Sequence, residues 1–181
     1  IQSALNILNQ DMRRLNPDTA NLRAPFKSVA ADLEVEFVLA KVGPNGECTS
    51  GITRTWSRTT LAAGNSIKTE IGWPNTKYLN IWVVRNIELA GTPAGTLVLG
   101  YSAFPYNGIP AAQDGIVIRH DRLGNTGTAA GTRNRTLTHE VGHYLNLFHT
   151  FQGGCSFGEQ CADTPPVASA SSGCNPSQNT C

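Results

Sequence analysis

His139-Glu140-Val141-Gly142-His143 is followed at 149 by another histidine, so three of the chain's four histidines fall between 139 and 149. On an α-helix, His139 and His143 project from one face, one turn apart. Two imidazoles so placed can reach one tetrahedral Zn²⁺ at roughly 2.0–2.1 Å. Glu140 is rotated off that line and can stand beside the metal as a base without being a ligand. His149 supplies the third ligand if the chain turns back after the helix. Asn146 is where it would turn, because asparagine is second only to glycine in tolerating left-handed φ/ψ. A fourth position then stays open for water. A lone His-Glu-x-x-His can arise on any amphipathic helix, and the third histidine at this offset is what makes the pattern specific.

The elements that would position these residues can be read along the chain. Leu5, Leu8, Met12 and Leu15 recur at three- and four-residue steps and predict an amphipathic helix ending near Asn16-Pro17, with Met12 in the core. Leu33, Val35, Phe37 and Leu39 alternate with Glu34 and Glu36, which predicts a half-buried strand whose glutamates face solvent. Gly43-Pro44-Asn45-Gly46 is a turn. Residues 51–57 form a short strand or an ordered loop, and 59–71 a short helix weakened by Gly64. Tyr78–Val84 is nearly continuous apolar sequence and predicts a central strand covered on both faces. Thr96–Phe104 is a further strand stopped by Pro105, Gly115–Arg119 is a short buried one, and 121–133 is a loop. The histidine helix should run from about Asn134 to Leu145, capped by Asn134 or Thr136, with Leu137, Val141 and Leu145 as its core stripe. The fold class is therefore α/β (α+β): a layer with the histidine helix packed beneath a sheet.

The chain has 181 residues, enough for one domain with a real core. A net charge of +1 gives no field that would favour nucleic acid or a membrane surface as partner. No apolar run approaches the ~20 residues that span a bilayer. Ile1 opens directly into helical pattern, as in a mature form already freed of a signal and pro-segment. Cys48 stands alone, a buried or free thiol or one that pairs outside this chain. Cys155, Cys161, Cys174 and Cys181 crowd a tail poor in apolar residues. Disulfides are the natural staple there and imply an oxidising setting; three pairings are open, and a thiolate zinc site is the rival reading. His120 lies outside the motif and reads as a surface histidine. Asn134-Arg135-Thr136 matches a glycosylation sequon at the mouth of the helix and carries no functional weight.

The run from His139 to Cys155, with Thr150-Phe151-Gln152-Gly153-Gly154 after the third histidine, resembles the metzincin zinc peptidases and, within them, the pappalysin family. Gly51-Ile52-Thr53-Arg54-Thr55 and Tyr78-Leu79-Asn80-Ile81-Trp82 resemble it too. The resemblance implies a metzincin upper subdomain over residues 1–149: a twisted, mostly parallel sheet with one antiparallel edge strand and two long helices, one backing and one active-site helix. Residues 150–181 would begin an irregular, disulfide-rich lower subdomain. Leu97–Phe104 would be the edge strand, with Leu97, Gly100, Tyr101, Ser102 and Ala103 pairing an extended protein or peptide substrate by β-augmentation. Asp163 and Thr164 would supply oxygen ligands to a structural Ca²⁺. The implied activity is a secreted, extracellular zinc endopeptidase in which a zinc-bound water is activated by Glu140.

The sequence departs from that family in two ways. Asn146 stands where glycine is usual, and no methionine follows Met12 to form the turn beneath the metal. That departure raises the expectation of a second polypeptide completing the catalytic domain after a cut beyond Cys181, or else of a fragment. A zinc-stabilised binding module without turnover is the alternative from a different class, and the retained Glu140 argues against it.

Overall fold

The computed structural model describes the chain except residues 107, 133, 172–177 and 179. Helix α1 spans Gln2–Met12 and buries Ala4, Leu5, Leu8 and Met12. These join Ile116, Ile118, Leu137 and Val141 in one core cluster. The helix stops earlier than the apolar spacing predicts. Arg14 takes φ 53°, and Leu15 is left 71% exposed. There the chain engages the segment 30–36: Arg13 pairs with Asp32 at 3.0 Å and Glu36 at 2.9 Å, and Arg14 donates to Ala30 O at 2.6 Å.

Among the described residues the sheet has three strands: β1 (Ile81–Val84), β2 (Gly100–Ser102) and β3 (Ile116–Arg119), in the order β1-β3-β2. β1 runs parallel to β3, and β2 antiparallel to it at the edge, as the resemblance implied. β2 covers only the middle of the expected 97–104 strand, with Leu97 outside it and 55% exposed. The central strand is β3, whose Ile116, Val117 and Ile118 are fully buried. The expectation that Tyr78–Val84 is central is corrected: only Ile81–Val84 pairs, it lies at the other edge, and Val83 is 41% exposed.

The expected strand over 33–39 does not form. Phe37 N–H donates to Asn9 Oδ1 at 2.8 Å, and Phe37 C=O accepts from Asn9 Nδ2 at 2.9 Å. The side-chain amide on α1 thus satisfies the main-chain groups that a neighbouring strand would have used. Glu34, at φ 55°, also breaks the extended run. Phe37 and Leu39 still pack on the core. Between 37–42, 51–55 and the outer edge of β1 lies a cavity of about 900 Å³.

Within the expected 59–71 helix, a single 3-10 turn at Arg58–Leu61 and helix α2 (Ser66–Glu70) are separated around Gly64. Lys68 of α2 is buried. Its ammonium donates to Gln113 O at 2.8 Å and Gly115 O at 3.2 Å, and lies 4.8 Å from the Tyr101 ring centroid. Burial pulls its pKa down to about 8.

Helix α3 spans Thr136–Tyr144 and shares the α1 side of the sheet. Its start carries no side-chain cap. Asn134, expected to cap it, is buried and donates its amide to Gly124 O and to Ala129 O, the latter at 2.7 Å, so it pins the preceding loop instead. Leu137 and Val141 are core as expected, but Leu145 is 42% exposed, and Tyr144 packs on the core. Two acids hold the mouth of α3, Asp11 on α1 and Asp18 in the 3-10 turn Pro17–Asn21 that follows it: Arg135 pairs with Asp11 at 2.8 Å and Asp18 at 2.5 Å, and Thr138 Oγ1 donates to Asp11 Oδ2 at 2.8 Å.

Among its described residues the tail holds one short helix, α4 (Gly154–Phe157), and a Cys155–Cys181 disulfide. This pairing favours the disulfide reading of the tail over a thiolate metal site. Cys48 and Cys161 are exposed free thiols, and Cys174 lies outside the described residues.

Candidate metal centre

His139 and His143 sit one turn apart on α3, as their spacing dictates. The helix then ends in a Schellman turn: Leu147 N–H donates to Gly142 O at 2.9 Å, and Asn146 N–H to His143 O at 2.9 Å. Asn146 occupies the left-handed position of that turn, with φ 73°. This is the reversal that the sequence required, and it brings His149 back over the helix.

The three Nε2 atoms converge. His139 and His143 are separated by 3.0 Å at Nε2, and His149 lies 3.2 Å from each. Four nitrogens around zinc at roughly 2.0–2.1 Å would stand about 3.3 Å apart, so the triangle fits three corners of that tetrahedron. His139, His143 and His149 are the only group of three or more potential metal-ligating His, Cys, Asp or Glu side chains among the described residues.

Protonation and orientation favour the same use. Partial desolvation, followed by the neighbouring His143 imidazole, lowers the pKa of His139 and His149, a shift toward the neutral form that a ligand needs. His143 Nδ1 lies 2.7 Å from Leu147 O. With Nδ1–H donating there, Nε2 is left as the free lone pair. Phe151 stacks on His149 at 4.9 Å between centroids and 7° between planes, and Phe104 lies 5.1 Å from His143. The sequence shows these aromatics and the Leu147 carbonyl but not which ligand each one braces.

Glu140 is 4% exposed, and burial pushes its carboxyl up to about 7. A cation held by the adjacent histidines would draw it back down. It lies under Gly100 of β2, on the face of the strand opposite to Tyr101. Gly100, Tyr101 and Ser102 are in the edge strand; Leu97 and Ala103 fall outside it. Asp163 and Thr164 are not gathered with other acidic ligands among the described residues. Glu159, which the sequence did not single out, is buried with Oε1 unpartnered. His120 contacts Thr128 Oγ1 at 3.0 Å and stands apart from the triad.

Comparison with known proteins adds an independent line. The family model for pregnancy-associated plasma protein-A peptidases matches residues 62–181. "Extracellular metalloprotease 1" of Coccidioides posadasii is 36% identical over 136 residues, covering 71% of this chain and 46% of that protein. An "Extracellular metalloprotease" of Verticillium alfalfae is 43% identical over 89 residues, covering 46% and 31% respectively. Among solved structures, mature mirolysin of Tannerella forsythia, in complex with a cleaved peptide, superposes with TM-score 0.74 at 36% identity, covering 92% of this chain and 64% of that one. Mirolysin in complex with a small compound gives TM-score 0.78 at 37% identity, covering 92% and 63%. The chain spans less than half the length of both named metalloproteases.

Proposed function

The chain belongs to the pregnancy-associated plasma protein-A family of metallopeptidases, the pappalysins, and on that premise we propose that it forms the catalytic part of a secreted zinc-dependent endopeptidase. The observation that carries the reading is the Nε2 triangle of His139, His143 and His149, with edges of 3.0–3.2 Å, on a helix whose Glu140, next to His139 in sequence, is buried. Zinc held by these nitrogens supplies Lewis acidity, which acidifies water and polarises the scissile carbonyl.

The protein's own residues do the rest. Glu140, next to His139 on α3, takes the proton from the attacking water and returns it to the leaving amine. Its burial excludes bulk water, so the carboxylate faces little competition for that proton. The edge strand receives the substrate. Arg119 N–H donates to Leu99 O at 3.0 Å, which marks this as a hydrogen-bonded pair of the ladder. Alternation then aims the main-chain groups of Gly100 and Ser102 away from β3, where an extended peptide can pair with them. We assign residues 1–149 to the upper subdomain and 150–181 to the start of the lower one.

Two finer assignments belong to the same proposal. Asp163 and Thr164 are the oxygen donors assigned to a structural Ca²⁺, on the family resemblance alone. Secretion is supported by the names of the extracellular relatives and by the Cys155–Cys181 disulfide; no described helix is long and apolar enough to cross a membrane.

The test is hydrolysis of an unstructured protein substrate by the purified full-length protein. Cleavage that a chelator stops and added zinc restores is the expected result. Stoichiometric zinc with no cleavage of any peptide would overturn the reading in favour of a zinc-stabilised binding module.

A further inference from the structure

Gly100 does not need to be glycine for its backbone. It is absent from the positions with positive φ, and it sits in β2 opposite Ile118 of β3. What requires glycine there is space. A methyl group built on Gly100 would lie 3.0 Å from Glu140 Cγ, 3.1 Å from Glu140 Oε1 and 3.2 Å from Thr136 Cγ2. Carbon atoms in contact prefer about 3.5–4.0 Å, so three neighbours are too close at once.

Neither side can retreat cheaply. β2 is held to β3 by its three-residue register and by the Arg119–Leu99 bond. Helix α3 is fixed by Leu137 and Val141, which are 3% and 0% exposed in the core. The part able to yield is the Glu140 side chain. We propose that Gly100 is the positioning residue for Glu140: the bare strand lets α3 seat the carboxylate against the sheet edge, beside the histidine triad. This rests on the reading of Glu140 as the base. It is separate from the pairing of Gly100 with substrate, because that pairing uses main-chain groups that alanine retains.

A double-mutant cycle tests it in the full-length protein. Gly100→Ala should lower kcat by about tenfold to 10²-fold, the cost of displacing a catalytic group by a fraction of an ångström to one ångström. KM and zinc affinity should stay within about twofold. Thermal unfolding of the metal-free protein gives a readout without turnover. The Tm loss caused by Gly100→Ala should be smaller in a Glu140→Ala background, where the crowded atoms are gone. An equal Tm loss in both backgrounds, or a rise in KM with kcat preserved, would overturn the proposal. If the wild-type protein cleaves nothing, the peptidase reading fails while the unfolding cycle still decides whether Gly100 makes room for Glu140.

Discussion

His143 reaches across the end of its own helix to the carbonyl of Leu147, Nδ1 to O at 2.7 Å. The contact joins one imidazole of the candidate metal centre, on α3, to the turn that returns His149. Orientation of one imidazole and placement of another therefore depend on the same few residues of backbone, centred on Asn146 at φ 73°.

Changes at Asn146 should follow from that φ. Asn146→Gly should be neutral or slightly stabilising, because glycine adopts this conformation without steric cost. Asn146→Val should cost about 1–2 kcal/mol, as a β-branched residue is forced into the left-handed region, and should weaken zinc binding as the turn deforms. Calorimetric unfolding and zinc titration of both variants would check this; equal zinc affinity in Gly and Val variants would dissociate the turn from the metal centre.

Glu140→Ala should keep zinc and lose turnover. The three nitrogens do not depend on the carboxylate, whereas a positioned general base contributes about 10²–10⁴-fold. Metal content by mass spectrometry and kcat on one peptide decide the matter, and full activity would remove Glu140 from its assigned role.

His149→Ala should weaken zinc binding by more than the roughly 10–100-fold that loss of an outer-shell partner causes. Phe151→Ala, which takes away the ring stacked on His149, should have a smaller effect in the same direction. A chelator competition assay ranks the two, and unchanged affinity in His149→Ala would exclude it as a ligand.

Arg135→Gln should loosen the start of α3 from the 3-10 turn Pro17–Asn21 in a pH-dependent way. The Arg135 guanidinium, then the Asn16 amide, hold the Asp18 carboxyl well below its ordinary range. A depressed carboxylate stabilises the fold above its unfolded pKa, near 3.8, and that contribution fades as pH falls below it. The Tm difference between wild type and Arg135→Gln, measured on metal-free protein, should be present at neutral pH and shrink in strong acid. A difference independent of pH would show that the Arg135–Asp18 pair is not what couples the two segments.

The grouping of the three histidines was legible in the sequence because its geometry is local. His139, Glu140 and His143 need only helical periodicity, and Asn146 announces the turn. The absence of the strand expected at 33–39 was not legible, because alternation says which face is apolar but not which partner satisfies the main chain. Here Asn9, distant in sequence, takes Phe37. The relation between Gly100 and Glu140 was hidden for the same reason: it exists only once β2 and α3 are packed. The sheet order could not be read either, since both Tyr78–Val84 and Gly115–Arg119 are apolar enough to be central, and among the described residues only β3 has strands on both sides.

The Cys155–Cys181 bond joins residues 26 apart and turns the end of the described chain into a covalent ring. Residues 160–171 within it are largely exposed and carry no helix or strand, the kind of segment that proteases reach first. A single cut inside the ring opens it but releases nothing, since both ends remain attached through sulfur. Such a break would be invisible by size until reductant is added, and the part of the chain bearing His149 would keep its covalent connection to residue 181 and whatever is joined there.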